Sequence, residues 1–151
     1  MKRLIIIFFM ILLSGCANQE PLKKKTQSGK PEGTYQNTTK SDVKDSLSEY
    51  CNNKGLIVME STDSIVICSK ETEGMHSILS QMVLGNSYST TPVAKIKFSI
   101  GEVGGSVKVW SDAWIETQMA MGQIKQMVIK DNSTINDLQN ILDNLKPKKN
   151  K

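Results

Sequence analysis

Residues 94–118 read AKIKFSIGEVGGSVKVWSDAWIETQ. Ala94, Ile96, Phe98 and Ile100 alternate with Lys95, Lys97 and Ser99. That is the period of a strand with one buried face. Gly101-Glu102-Val103-Gly104-Gly105 is a turn, and the return strand starts at Ser106. Val107, Val109, Ala113, Ile115, Met119 and Met121 share one parity, and Lys108, Trp110, Asp112, Trp114, Glu116 and Gln118 the other. An antiparallel hairpin follows, and with it an antiparallel sheet as the frame of the fold. The glycine-rich turn is not a phosphate loop, because no Gly-Lys-Ser/Thr follows and its setting is strand-turn-strand.

Downstream, Gly122 marks a bend and residues 123–130 read as a further strand. Residues 115–128 also nearly fit a helical period, so periodicity leaves both readings open. Asn132-Ser133-Thr134 caps a last helix whose apolar face is Ile135, Leu138, Ile141, Leu142 and Leu145, ended by Lys146-Pro147. Upstream, Ser41 reads as the N-cap of a first helix, with Val43, Leu47, Tyr50 and Cys51 on one face and Gly55 as the stop. Two β-branched runs, 56–60 and 65–68, flank a polar turn and predict a second hairpin. With Thr62-Asp63 as that turn, Cys68 lies opposite Ile57 and shares a face with Met59. A further helix is expected over 73–84, with Met75, Ile78, Leu79, Met82 and Val83 as its stripe and His76 beside it. The fold class is therefore α+β: a sheet of four to five strands, about three helices packed on it, in a single domain over 41–146.

Residues 17–40 are dominated by Lys, Gln, Ser, Gly, Pro, Thr and Asn, with Leu22 and Tyr35 the only large apolar residues. Such a stretch buries too little surface to offset the entropy of ordering it and reads as a tether, reaching roughly 80 Å if fully extended. It carries five Lys against Glu20 and Glu32, and the tail 147–151 together with Lys146 carries four Lys and no acid. The body, 41–145, holds eight Lys against thirteen Asp plus Glu, a net of −5. An acidic body with basic ends excludes an ordinary nucleic-acid binder, whose positive charge lies on its folded face. Basic ends suit an anionic surface such as lipid headgroups or cell-wall polymer, or simply keep a tether solvated.

The chain starts with Met1-Lys2-Arg3, an apolar run from Leu4 to Leu13, and Ser14-Gly15-Cys16. This is the pattern of an export signal, 1–15, too short to span a bilayer. Its ending, Leu13-Ser14-Gly15-Cys16, resembles the lipobox of bacterial lipoproteins. The resemblance covers only the N-terminus. It implies that Cys16 is lipidated and opens the mature protein, 16 onward, and that Ala17 directs it to the outer membrane, facing the periplasm or alternatively the cell surface.

In an oxidising compartment Cys51 and Cys68 are expected to form a disulfide. The first helix, packing its stripe on the second hairpin, brings them to one layer. Two buried free thiols are the alternative. Two Cys and His76 at unrelated spacing make no metal site, and no cofactor is expected.

The one constellation with functional character is the outward face of the hairpin, with Trp110, Trp114 and Asp112 on one strand and Lys95 and Lys97 on the other. Tryptophan among charges suits a partner surface. A helix covering this face, with both tryptophans in a second core layer, is the competing reading. No Gly-x-Ser-x-Gly, His-Glu-x-x-His or Cys–His pairing is present. The expected function is a non-catalytic binding, assembly or exclusion module, tethered by lipid and meeting an envelope protein or cell-wall partner. The alternative is an envelope enzyme that acts on peptidoglycan or glycan with two acidic residues; isolated carboxylates such as Glu102 or Glu116 have no identified acid–base partner.

Overall fold

The computed structural model describes residues 20–72 and 91–149. Six strands and two α-helices lie in this part of the chain: β1 (Glu32–Tyr35), α1 (Lys40–Asn53), β2 (Ile57–Ser61), β3 (Ile65–Glu71), β4 (Val93–Val103), β5 (Ser106–Gln118), β6 (Ile124–Val128) and α2 (Asn132–Asn144). The α+β class is as the sequence suggests, but the sheet has six strands rather than four to five, because Glu32–Tyr35, in the stretch read as a tether, joins it. The export signal, Cys16 and the helix expected over 73–84, with His76, lie outside the described residues.

All strand pairs are antiparallel, in the order β1-β5-β4-β3-β2. The long hairpin β4–β5 is the spine, running from Val93 opposite Glu116 to Val103 opposite Ser106. The second edge of β5 is shared. β1 covers residues 107–110 and β6 covers 114–118. The segment 115–128 is thus strand, bend, strand. Met121 (φ 68°) and Gly122 (φ 77°) turn the chain between β5 and β6, closed by the Met119 N–H donating to the Gln123 carbonyl at 2.7 Å.

The core lies on one face. Val66 and Cys68 of β3, Phe98 and Ile100 of β4, and Val107 and Val109 of β5 meet Val43, Leu47 and Cys51 of α1 and Leu142 of α2. The i, i+4, i+8 spacing on α1 puts its three core residues on one stripe, and all are fully buried. Cys51 and Cys68 form a disulfide, with Cα atoms 6.2 Å apart.

Three expectations need correction. First, Thr39 rather than Ser41 caps α1; its hydroxyl accepts from the Asp42 N–H at 3.1 Å. Asp131 caps α2 in the same way, one residue before the expected Asn132. Second, Cys68 lies opposite Val58, not Ile57. The Thr62 and Ile65 backbones exchange hydrogen bonds around Asp63-Ser64, so the turn sits one residue later than Thr62-Asp63. A bulge between Val58 and Glu60 then shifts the register back by one. Val58 packs on the core, while Ile57 and Met59 are exposed (63% and 60%).

Third, the stretch 17–40 is not a free tether from Glu20 onward. Glu32–Tyr35 is a sheet strand, and side-chain amides of α2 hold the chain before it. Gln139 exchanges two hydrogen bonds with the Glu32 backbone, at 3.0 and 2.9 Å. Buried Asn136 donates to the Pro21 carbonyl at 3.0 Å and accepts from the Lys23 N–H at 2.8 Å. Composition missed this because the ordering groups are backbone amides satisfied by another element, not apolar side chains. At Gly33 a Cβ would lie 2.6 Å from the Tyr35 hydroxyl and 3.3 Å from the Leu142 Cβ. Glycine is what lets β1 approach α2 this closely, and Tyr35 donates to the Leu142 carbonyl at 2.7 Å.

Candidate functional site

Both described helices pack on the core face, so the other face of the β4–β5 hairpin has no described helix over it. The register sets Lys95 opposite Trp114, Lys97 opposite Asp112 and Ser99 opposite Trp110. The five residues singled out from the sequence, Lys95, Lys97, Trp110, Asp112 and Trp114, therefore form a contiguous patch. β1 extends it with Glu32 opposite Trp110, and β6 with Val128 opposite Trp114 and Gln126 opposite Glu116.

Charges on this face are paired across strands. Lys95 meets Glu116 at 2.6 Å, Lys108 meets Glu32 at 3.0 Å, and Asp112 takes Lys30 at 2.9 Å and Lys97 at 4.0 Å. The Lys95–Glu116 pair is the most enclosed of those involving the named residues (21% and 17% exposed). Glu116 also accepts from Trp114 Nε1 at 3.2 Å and Gln126 Nε2 at 2.9 Å. Partial burial alone raises the Glu116 pKa. The hydrogen bonds from Lys95, Gln126 and Trp114 and the Lys95 charge outweigh that and hold it below the ordinary glutamate value. Glu32 follows the same pattern: burial works against ionisation, and Lys108 and Ser28 overcome it.

The two tryptophans are half-buried and differ in setting. Trp110 lies against Gly101, where a Cβ would stand 3.1 Å from the indole six-membered ring, and the Lys108 ammonium is 5.4 Å from its ring centroid. A bare glycine backbone with an aromatic laid over it is a known means of filling an otherwise empty sheet position. Trp114 is instead fixed through its N–H to Glu116. Lys97 is the more exposed of the two hairpin lysines and its ion pair is the longest on the face. Sequence reasoning missed Glu32, Lys30 and Lys108 as members of this network. The parity of Lys108 was visible, but Lys30 and Glu32 reach the face only because β1 joins the sheet.

An acid pair from Glu102 and Glu116 is ruled out by register. Glu102 stands opposite Val107 and Glu116 opposite Val93, at opposite ends of β5. Nine strand residues separate the two positions, roughly 30 Å, several times the spacing of a glycosidase carboxylate pair. Among the described residues no cluster of His, Cys, Asp and Glu could hold a metal ion, and no helix is long and apolar enough to cross a membrane. Among the described residues, the buried Ser111 Oγ has no hydrogen-bond partner. It lies on β5 between the stretches covered by β1 and β6, in a cleft of about 470 Å³ lined also by Pro31, Ala113, Ile135 and Leu138.

No protein-family model, curated protein sequence or solved structure matches this chain.

Proposed function

We propose that the chain is an envelope lipoprotein, acylated at Cys16 and held at the outer membrane, whose folded body is a non-catalytic binding or assembly module. Its partner is an envelope protein or cell-wall component, met through the face of Trp110, Asp112, Trp114, Lys95 and Lys97. The carrying observation is that this face, on the side away from α1 and α2, holds two half-exposed indoles in a lattice of fixed charges. Large rigid aromatics contribute contact area at low entropic cost, and pre-paired charges present an ordered polar rim. The supporting sequence feature is Leu13-Ser14-Gly15-Cys16. With Glu116 held ionised and far from Glu102, the face offers a recognition surface rather than a proton donor.

The test is site-specific photocrosslinking in cells. A photoreactive residue at Lys97 should give a discrete adduct, and the same residue at Lys54, at the C-cap of α1, should not. Asp112→Asn removes the acid opposite position 97 and should weaken that adduct without changing the melting temperature by more than a few degrees. Equal crosslinking at both positions would overturn the assignment of the face.

A further inference from the structure

The docked N-terminal stretch fixes how the domain sits on its anchor. The Glu20 carbonyl accepts from Asn132 at 2.7 Å, the Asn136 amide holds Pro21 and Lys23, and Lys24 pairs with Asp143 at 3.0 Å. The backbone thus follows the first turns of α2, from Asn132 to Asn136, and the Lys24 side chain reaches on to Asp143, while Leu22 and Lys25 share a cleft with Ile135. Only residues 17–19 lie between Cys16 and the first docked residue. Four peptide steps reach at most roughly 14 Å, against the roughly 80 Å that the whole stretch 17–40 would allow if it were free. A bilayer holding Cys16 must therefore lie close to the N-terminal end of α2.

That corner is chemically suited to headgroups. Leu22 is exposed (41%), as are Lys23, Lys25 and Lys130. None of these three lysines has an ion pair with a described residue; Glu20 is exposed at the same corner, and three other acids are committed. Asp131 caps α2 through the Thr134 N–H and hydroxyl, Asp143 pairs with Lys24, and Asp112 pairs with Lys30.

We infer that the corner formed by Leu22, Lys23, Lys25 and Lys130 rests on the phospholipid surface that holds the acylated Cys16, with its lysines meeting anionic headgroups. The inference rests on acylation of Cys16. It makes Asn136 a positioning residue: its amide keeps the leash short. The opposite end of the domain faces away from the bilayer. There Lys54 of α1 shares a groove with Asn144 and Lys146 at the end of α2, a helix length of about 20 Å from Asn132.

The full chain as matured in the cell and purified from membranes in detergent, disulfide intact, is reconstituted into vesicles of phosphatidylethanolamine and phosphatidylglycerol that carry a headgroup nitroxide quencher. A fluorophore is placed through Lys25→Cys or Lys54→Cys. Quenching should be several-fold stronger at position 25, and a long Gly-Ser insertion after Asn18 should abolish the contrast. Replacing phosphatidylglycerol by phosphatidylcholine should weaken quenching at position 25; no change would remove the lysines from the contact. Failure of the chain to float with vesicles would overturn acylation and the inference with it. Flotation with equal quenching at both positions would overturn the docking alone.

Discussion

At the scale of single residues, Ser111 and Glu116 test whether the polar groups of the sheet are understood. Ser111 Oγ is buried without a partner, so it carries a desolvation penalty that no hydrogen bond offsets. Ser111→Ala should leave stability unchanged or raise it by up to about 1 kcal/mol, read from the midpoint of urea unfolding. A loss of more than that would mean the hydroxyl is partnered in solution. Glu116 has the opposite balance. Its folded pKa lies below the ordinary value of 4.5, so its stabilising effect is complete above that value and fades as pH falls through the lowered one. Glu116→Gln should cost about 1–2 kcal/mol at neutral pH, because Lys95 loses a charge-assisted partner in an enclosed position. The same variant should flatten the loss of stability below pH 4.5. Unfolding curves of both proteins across that range check the sign; parallel curves would contradict it.

At the scale of elements, the sequence showed most clearly what apolar periodicity controls. The β4–β5 hairpin, the stripe of α1 and the stripe of α2 all follow from it, because burial of one face is what these elements share. It showed poorly whatever depends on backbone hydrogen bonds between distant segments. β1 is four residues of Glu-Gly-Thr-Tyr, with no alternation to find, and it is ordered by Gln139, Tyr35 and the free edge of β5. The signal that existed was Gln139, a polar residue one place from Leu138 and flanking the apolar stripe. The patch residues Trp110, Asp112 and Trp114 were placed on one face by parity, but their ion partners on β1 were hidden for the same reason that β1 was. The β2–β3 register shows a further limit: turn position and bulge are each one residue wide, and each flips a face.

The disulfide does not depend on that one-residue register difference, because both Val58 and Cys68 face the core where Cys51 sits. It joins α1 to β3 across 17 residues of sequence, a loop whose closure is worth about 3 kcal/mol in the chain-entropy account. Cys51→Ala with Cys68→Ala should lower unfolding stability by about that amount, with native far-ultraviolet dichroism retained. A drop in stability below about 1 kcal/mol would mean that α1 is held by its apolar stripe alone.

For the whole molecule, the proposals turn on one covalent feature. On the proposed reading, durable membrane attachment comes from acyl chains on Cys16; no described helix is long and apolar enough to cross a bilayer. One chain binds only marginally, and stable anchoring needs a second chain or a basic patch. The corner lysines supply such a patch, at about 1 kcal/mol for each Lys near an anionic surface, and salt screens it. Two contributions of different physics can be separated. Wild-type protein should require detergent for release from membranes, whatever the ionic strength. Cys16→Ser should leave a folded domain with its disulfide formed, because the described core is built from Tyr35 onward. Any of it that stays on membranes after the signal is cleaved should be released by high salt. Detergent-only release of Cys16→Ser, after normal cleavage of the signal, would contradict acylation as the anchor. Release of the wild type by salt alone would reduce the attachment to the lysines.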